Sequence, residues 1–102
     1  MRDIAMAAKI AMGSKLPTNA PVQLVIHAFF SVPKSRPSRQ RMDALNGTIL
    51  PTVKFDWDNI AKVVGDALKE IVWIDDALVV DGRVIKLYSD VPGIRVEVRE
   101  FG

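Results

Sequence analysis

A small α/β domain of the α+β type, with a mixed, largely antiparallel sheet and helices packed on it, follows from three features of this sequence. The segment "NIAKVVGDALKEI" carries apolar residues at Ile60, Val63, Val64, Ala67, Leu68 and Ile71, one stripe at helical spacing. The segment "VQLVIHAFF" is apolar at every second position and mixed between, the mark of a strand with one fully buried face. The segment "IRVEVRE" alternates strictly, with Ile94, Val96 and Val98 inward and Arg95, Glu97 and Arg99 outward.

The elements follow in order. Residues 2–13 read as a helix, because Ile4, Ala7, Ala8, Ala11 and Met12 obey the i, i+3, i+4 rule and Gly13 ends it. "KLPTNAP" is a turn-rich connector. Residues 22–32 form a strand central to the sheet, with Val22, Leu24, Ile26, Ala28 and Phe30 on one face. Ser38 caps a short helix through Asn46, closed by Gly47. Residues 48–55 connect this helix to the next, with room for a short extended piece. Asp58 is the N-cap expected for the long amphipathic helix. Two strands finish the chain: 78–88, bent or bulged near Asp81-Gly82, and 94–100, entered through the turn "VPG". Trp73 is expected to pack beside the turn at Asp75-Asp76, and Met6, Met12 and Met42 to fill helix positions and gaps.

The 102 residues suit one domain, spanning 1–102, with a modest core. Cysteine is absent, which removes disulfides, thiolate metal sites and a cysteine nucleophile. No stretch has the length of a membrane span, and Lys9 interrupts the apolar N-terminus, so a cytoplasmic protein with no membrane partner is expected. Net charge is only +2, but its distribution is uneven. "KSRPSRQR" holds Lys34, Arg36, Arg39 and Arg41 with no acid, either a solvated loop or a footprint for a polyanion. His27, the sole histidine, reads as structural.

Five aspartates surround the amphipathic helix. Asp58, Lys62 and Asp66 are four residues apart and share its exposed face. Asp56 precedes it, and Asp75 and Asp76 follow it. A helix of about 13 residues is roughly 20 Å long, so the two ends meet only if the next strand doubles back. Converging carboxylates repel unless a cation neutralises them. An all-oxygen set selects Mg²⁺, or Mn²⁺, over zinc. Such an ion beside a lysine suits phosphodiester hydrolysis. The plainer alternatives are a cap, a surface ion-pair ladder and a turn.

"FDWDNIAKVVGDAL" followed by "VWIDDALVVDGRVIK" resembles the RusA-type Holliday junction resolvases, endonucleases of bacteria and their prophages. The shared pattern, D-x-D-N-x-x-K-x-x-x-D-A-L and then D-D-x-x-V-V, is met by Asp56, Asp58, Asn59, Lys62, Asp66, Ala67, Leu68, Asp75, Asp76, Val79 and Val80. "VPKSRPSRQR" is similar to the family's basic P-K-S loop. The resemblance implies a RusA-like homodimeric fold that cuts four-way junction DNA by paired symmetric nicks in recombination and repair. It implies Mg²⁺ on Asp56, Asp58 and Asp76, an essential Lys62, and supporting roles for Asp66 and Asp75. Lys34, Arg36, Arg39 and Arg41 then become DNA-binding candidates, with Arg83 and Lys86 behind them. Family members usually begin with a further strand ahead of the first helix, so a shortened N-terminus is expected here. Phe55 and Trp57 flank Asp56 and suit either sheet packing or contact with the junction. The competing readings are a DNA-binding module with little cleavage, a phosphohydrolase for small substrates, and a structural subunit.

Overall fold

The computed structural model describes residues 2–53 and 55–101, with side chains from Ile4 onward; Met1, Lys54 and Gly102 lie outside the described residues. Helix α1 spans Arg2–Met12, strand β1 Val22–Phe30, helix α2 Ser38–Leu45 and helix α3 Trp57–Leu68. A single 3₁₀ turn at Asp76–Leu78 leads into β2, Val79–Tyr88, and β3 covers Gly93–Glu100.

The sheet order is β2-β1-β3, so the most apolar strand is central, as its composition predicts. β1 pairs in parallel with β2 and antiparallel with β3, one ladder of each sense. The parallel pair needs a long crossover, and α2 and α3 lie within it. In the β1–β2 ladder, Val22 faces Val79 while Gln23 faces Asp81. Val80 is thus the extra residue, and the irregularity falls one residue before the expected Asp81-Gly82 bend.

The core lies on one face of the sheet. Val22, Leu24, Ile26 and Ala28 of β1 meet Ile60, Val64 and Leu68 of α3, and Trp73 completes the cluster. Val22, Ile26, Val64 and Trp73 are fully enclosed. Each such side chain contributes about 1.5–3 kcal/mol of transfer free energy. α1 lays Ile4 and Ala8 on the same core, while Ala7 and Ala11 of its expected stripe stay exposed. A second, smaller cluster of Val32, Ala44 and Tyr88 fixes α2 at the end of the sheet. Met6 and Met42 fill no gap; both are exposed.

Two caps differ from expectation. Pro37, not Ser38, is the N-cap of α2, and Ser38 is its first helical residue. Proline already has the extended backbone a cap needs (φ −55°, ψ 152°), so the helix starts one residue later than the serine signal predicts. Likewise Asp56, not Asp58, caps α3 with extended backbone and no side-chain hydrogen bond. Asp58 sits in the first turn, where a carboxylate is favoured by the helix dipole and accepts from the Asn59 amide at 3.0 Å. The glycine stops hold: Gly13 (φ 57°) and Gly47 (φ 88°) take the left-handed backbone that closes α1 and α2.

Candidate active site

α3 is the spine of the site. Its buried stripe of Ile60, Val64 and Leu68 fixes its rotation on the sheet, and this turns Asp58, Lys62 and Asp66 outward. The chain leaves α3 at Lys69, and Glu70 adopts a left-handed backbone (φ 69°) unusual for a residue with a side chain. Its amide donates to the Trp73 carbonyl at 2.7 Å, closing the turn. Thr18, in the connector after α1, clamps the far side: its amide donates to the Val72 carbonyl at 2.9 Å, and its carbonyl accepts from Ile74 at 3.1 Å.

This clamp presents Trp73 and the acids behind it. The Trp73 indole is wholly buried, and its Nε1–H donates to Asp76 Oδ1 at 2.8 Å. The packing of Trp73 beside the aspartate turn is as expected from sequence. The bond to the carboxylate was not foreseen, because nothing in the spacing of Trp73 and Asp76 reveals the ring's orientation. Asp75 instead serves its own turn, its Oδ1 accepting from the Ala77 amide at 3.0 Å.

Between α3 and the start of β2 runs a groove of about 390 Å³. Lys62, Asp66 and Asp76 line it, as do Trp57, Gly65 and Gly82, with Leu24, Ile26 and Val84 at its apolar base. Three of the expected site residues thus share one feature. Asp56 and Asp58 do not line it. They stand at the N-terminal end of α3, preceded by Phe55, whose ring lies 6.2 Å from that of Phe30. α3, twelve residues and about 18 Å long, has Asp56 as its N-cap and Asp58 in its first turn, and the turn that leads to Asp76 follows its other end. β2 does double back along α3, but Asp76 precedes its first residue, so the strand brings Lys86 and Tyr88, not the acid pair, toward that end. Lys86 confirms the direction: its Nζ donates to the Val53 carbonyl at 3.0 Å and lies over the Phe30 ring at 5.6 Å.

Oxygen donors alone, with one histidine remote from them, suit a hard divalent cation. Among the described residues, however, no three acidic or histidine side chains are gathered closely enough to hold one.

The basic segment packs at the other end of β2. Arg36 Nη2 donates to the Tyr88 hydroxyl at 3.4 Å, with the guanidinium 5.5 Å above its ring. Arg41 Nη1 donates to the Pro33 carbonyl at 3.3 Å. Lys34 and Arg39 are exposed and form no ion pair among the described residues. A strand of ten residues spans roughly 30 Å, so the basic loop and Asp76 mark the two ends of one long surface.

β1 and β2 carry further polar side chains, of which Arg83 also lines the groove. Asp81 accepts from Gln23 Nε2 at 2.8 Å and pairs with Arg83 through two bonds of 3.2 Å. The Arg83 hydrogen bonds, then that from Gln23, hold the Asp81 carboxyl below the usual aspartate value. Arg83, a secondary DNA candidate, is thereby engaged by its own strand. His27 stacks on Phe29 at 6.2 Å, and its Nδ1 is buried without a hydrogen-bond partner among the described residues.

Fold and groove together define a small α+β domain with lysine and carboxylates along the exposed side of one helix. The family described as "Endodeoxyribonuclease RusA" matches residues 1–99, and the chain belongs to it. A curated relative, "Uncharacterized protein YqaN" of Bacillus subtilis (strain 168), is 38% identical over 82 residues. That match covers 78% of this chain and 58% of the relative, so the chain spans under two thirds of the relative's length. No solved structure matches. Among the described residues no helix is long and apolar enough to cross a membrane.

Proposed function

We propose that the chain is a Mg²⁺-dependent, structure-selective endonuclease of the cytoplasm that resolves four-way DNA junctions in recombination and repair. It acts as a homodimer, because two symmetric nicks call for two symmetric sites. The observation that carries this reading is the groove that unites Lys62, Asp66 and Asp76 in a chain of the RusA family.

Each residue has a part. Lys62 is exposed in the groove, where its ammonium offsets the charge that builds on a phosphate in the transition state. Asp66, one turn on and on the same face, steers that ammonium. The Trp73 indole holds Asp76 Oδ1 and leaves the carboxylate's other oxygen free for a ligand. Asp56, Asp58 and Asp76 are the acids that would hold Mg²⁺, which would supply polarisation of the phosphate and activation of water. Holding one ion between them requires the segments on either side of α3 to approach. Lys34 and Arg39 contact phosphates away from the cut, with Arg36 and Arg41 bracing their loop.

A labelled four-way junction and a matched linear duplex, each with Mg²⁺ or EDTA, test the reading. Paired nicks in the junction alone, only with Mg²⁺, are expected. A second reading, a junction-binding module with little cleavage, is favoured by the separation of the acids; binding without nicks at any Mg²⁺ concentration would establish it.

A further inference from the structure

The groove beside α3 is more apolar than phosphate chemistry needs. Its base is Leu24, Ile26 and Val84, and its walls open at two glycines, Gly65 of α3 and Gly82 of β2. Gly65 lies inside a helix, where glycine is less favourable than alanine. No packing explains it: a Cβ built there meets nothing within 4 Å. A Cβ at Gly82 would meet only Val79 Cγ1, at 3.6 Å, an ordinary contact. The space between them is therefore room rather than close packing. On the rim stands Trp57, 67% exposed. An indole left in water at a groove mouth is an unused stacking surface.

The occupant must be flat and apolar in body and must bring a negative charge to Lys62. A nucleobase on a sugar-phosphate strand has both properties. We propose that the groove takes one unstacked base of the bound DNA, stacked on Trp57 and lodged over Gly65 and Gly82, while its phosphate lies at Lys62. This rests on the nuclease reading and adds a base-binding subsite to it. Seating a base beside the scissile phosphate fixes the strand for the cut, and misplacement by about 1 Å can cost on the order of a hundredfold in rate. A junction supplies such bases more readily than a duplex, since unstacking costs least where pairing is already disrupted.

The test uses the protein's two tryptophans. Trp73 is buried, so changes in accessible emission report Trp57. Four-way junction DNA is added in EDTA, so that nothing is cut, and tryptophan emission and binding are read together. Wild-type emission should be quenched on saturation. Gly65→Leu starts its side chain where an added Cβ meets nothing within 4 Å and extends it into the groove; it should keep the thermal midpoint, bind junction without quenching and about as weakly as a protein that has lost the Trp57 stack, and lower kcat about a hundredfold. Trp57→Ala should weaken binding about 5- to 150-fold, and Trp57→Phe should restore most of it. Unchanged emission at saturation, or Gly65→Leu cutting like wild type, would overturn the base subsite and leave the nuclease reading intact. A wild-type protein that neither binds nor cuts the junction would sink both.

Discussion

Trp73 and Asp76 show what one residue pair can do here. The indole is sealed in the core, yet its single N–H reaches the candidate ligand, coupling folding to the site. Trp73→Phe should cost about 1–3 kcal/mol, from the lost bond and the cavity left by the larger ring, measurable by urea unfolding. Asp81 is a second test at this scale. Its carboxyl titrates below the usual value of about 3.9, chiefly through Arg83. A depressed folded value means the pair stabilises the native state above the unfolded value and loses that as pH falls through the folded one. Asp81→Asn should therefore lower the thermal midpoint slightly at pH 7, and the difference should close as pH falls through the folded value. The sequence named Lys62, Asp66 and Asp76, because a long motif carries them. It could not show the Gln23–Asp81–Arg83 link, in which Gln23 and Asp81 lie 58 residues apart and meet only through strand pairing. It also misjudged both caps, since extended backbone at Pro37 and Asp56 matters more to a helix start than a polar side chain one or two residues later.

Among elements, α3 does most to place the groove. Leu68, 2% exposed at its last turn, packs on the core that sets the helix's rotation. Leu68→Ala should cost about 2–5 kcal/mol, whereas Val63→Ala, on the half-exposed side, should stay within about 0.5 kcal/mol. Urea unfolding of the two variants separates these outcomes. Helices and strands were legible because periodicity is local: the β1 and β3 alternations appear where expected, and so does the α3 stripe at Ile60, Val64 and Leu68, though Val63, expected in it, is exposed. Strand direction was not. The sense of pairing depends on the crossover from β1 to β2, which no local periodicity reveals.

As a whole, the molecule is long and narrow, 48 × 24 × 22 Å. Its radius of gyration, 15.4 Å, exceeds the roughly 13 Å of a compact domain this size. β2 runs from the groove at Asp76 to the basic loop at Tyr88. If Lys34 and Arg39 each neutralise one phosphate, the double variant Lys34→Ala, Arg39→Ala should flatten the slope of log affinity against log salt by about 2, read from junction titrations at several salt concentrations. Mg²⁺ should also raise the thermal midpoint of the wild-type protein, as a ligand of the folded state does, and should do so far less in Asp76→Asn. The most direct test of the central claim pairs cutting with binding in that same variant. Four-way junction DNA is offered to wild type and Asp76→Asn in Mg²⁺, and nicking and affinity are measured together. Nicking by wild type, lost in the variant while affinity is kept or tightened by removal of a negative charge, is the predicted result. Equal nicking by both proteins would contradict it and remove Asp76 from the chemistry.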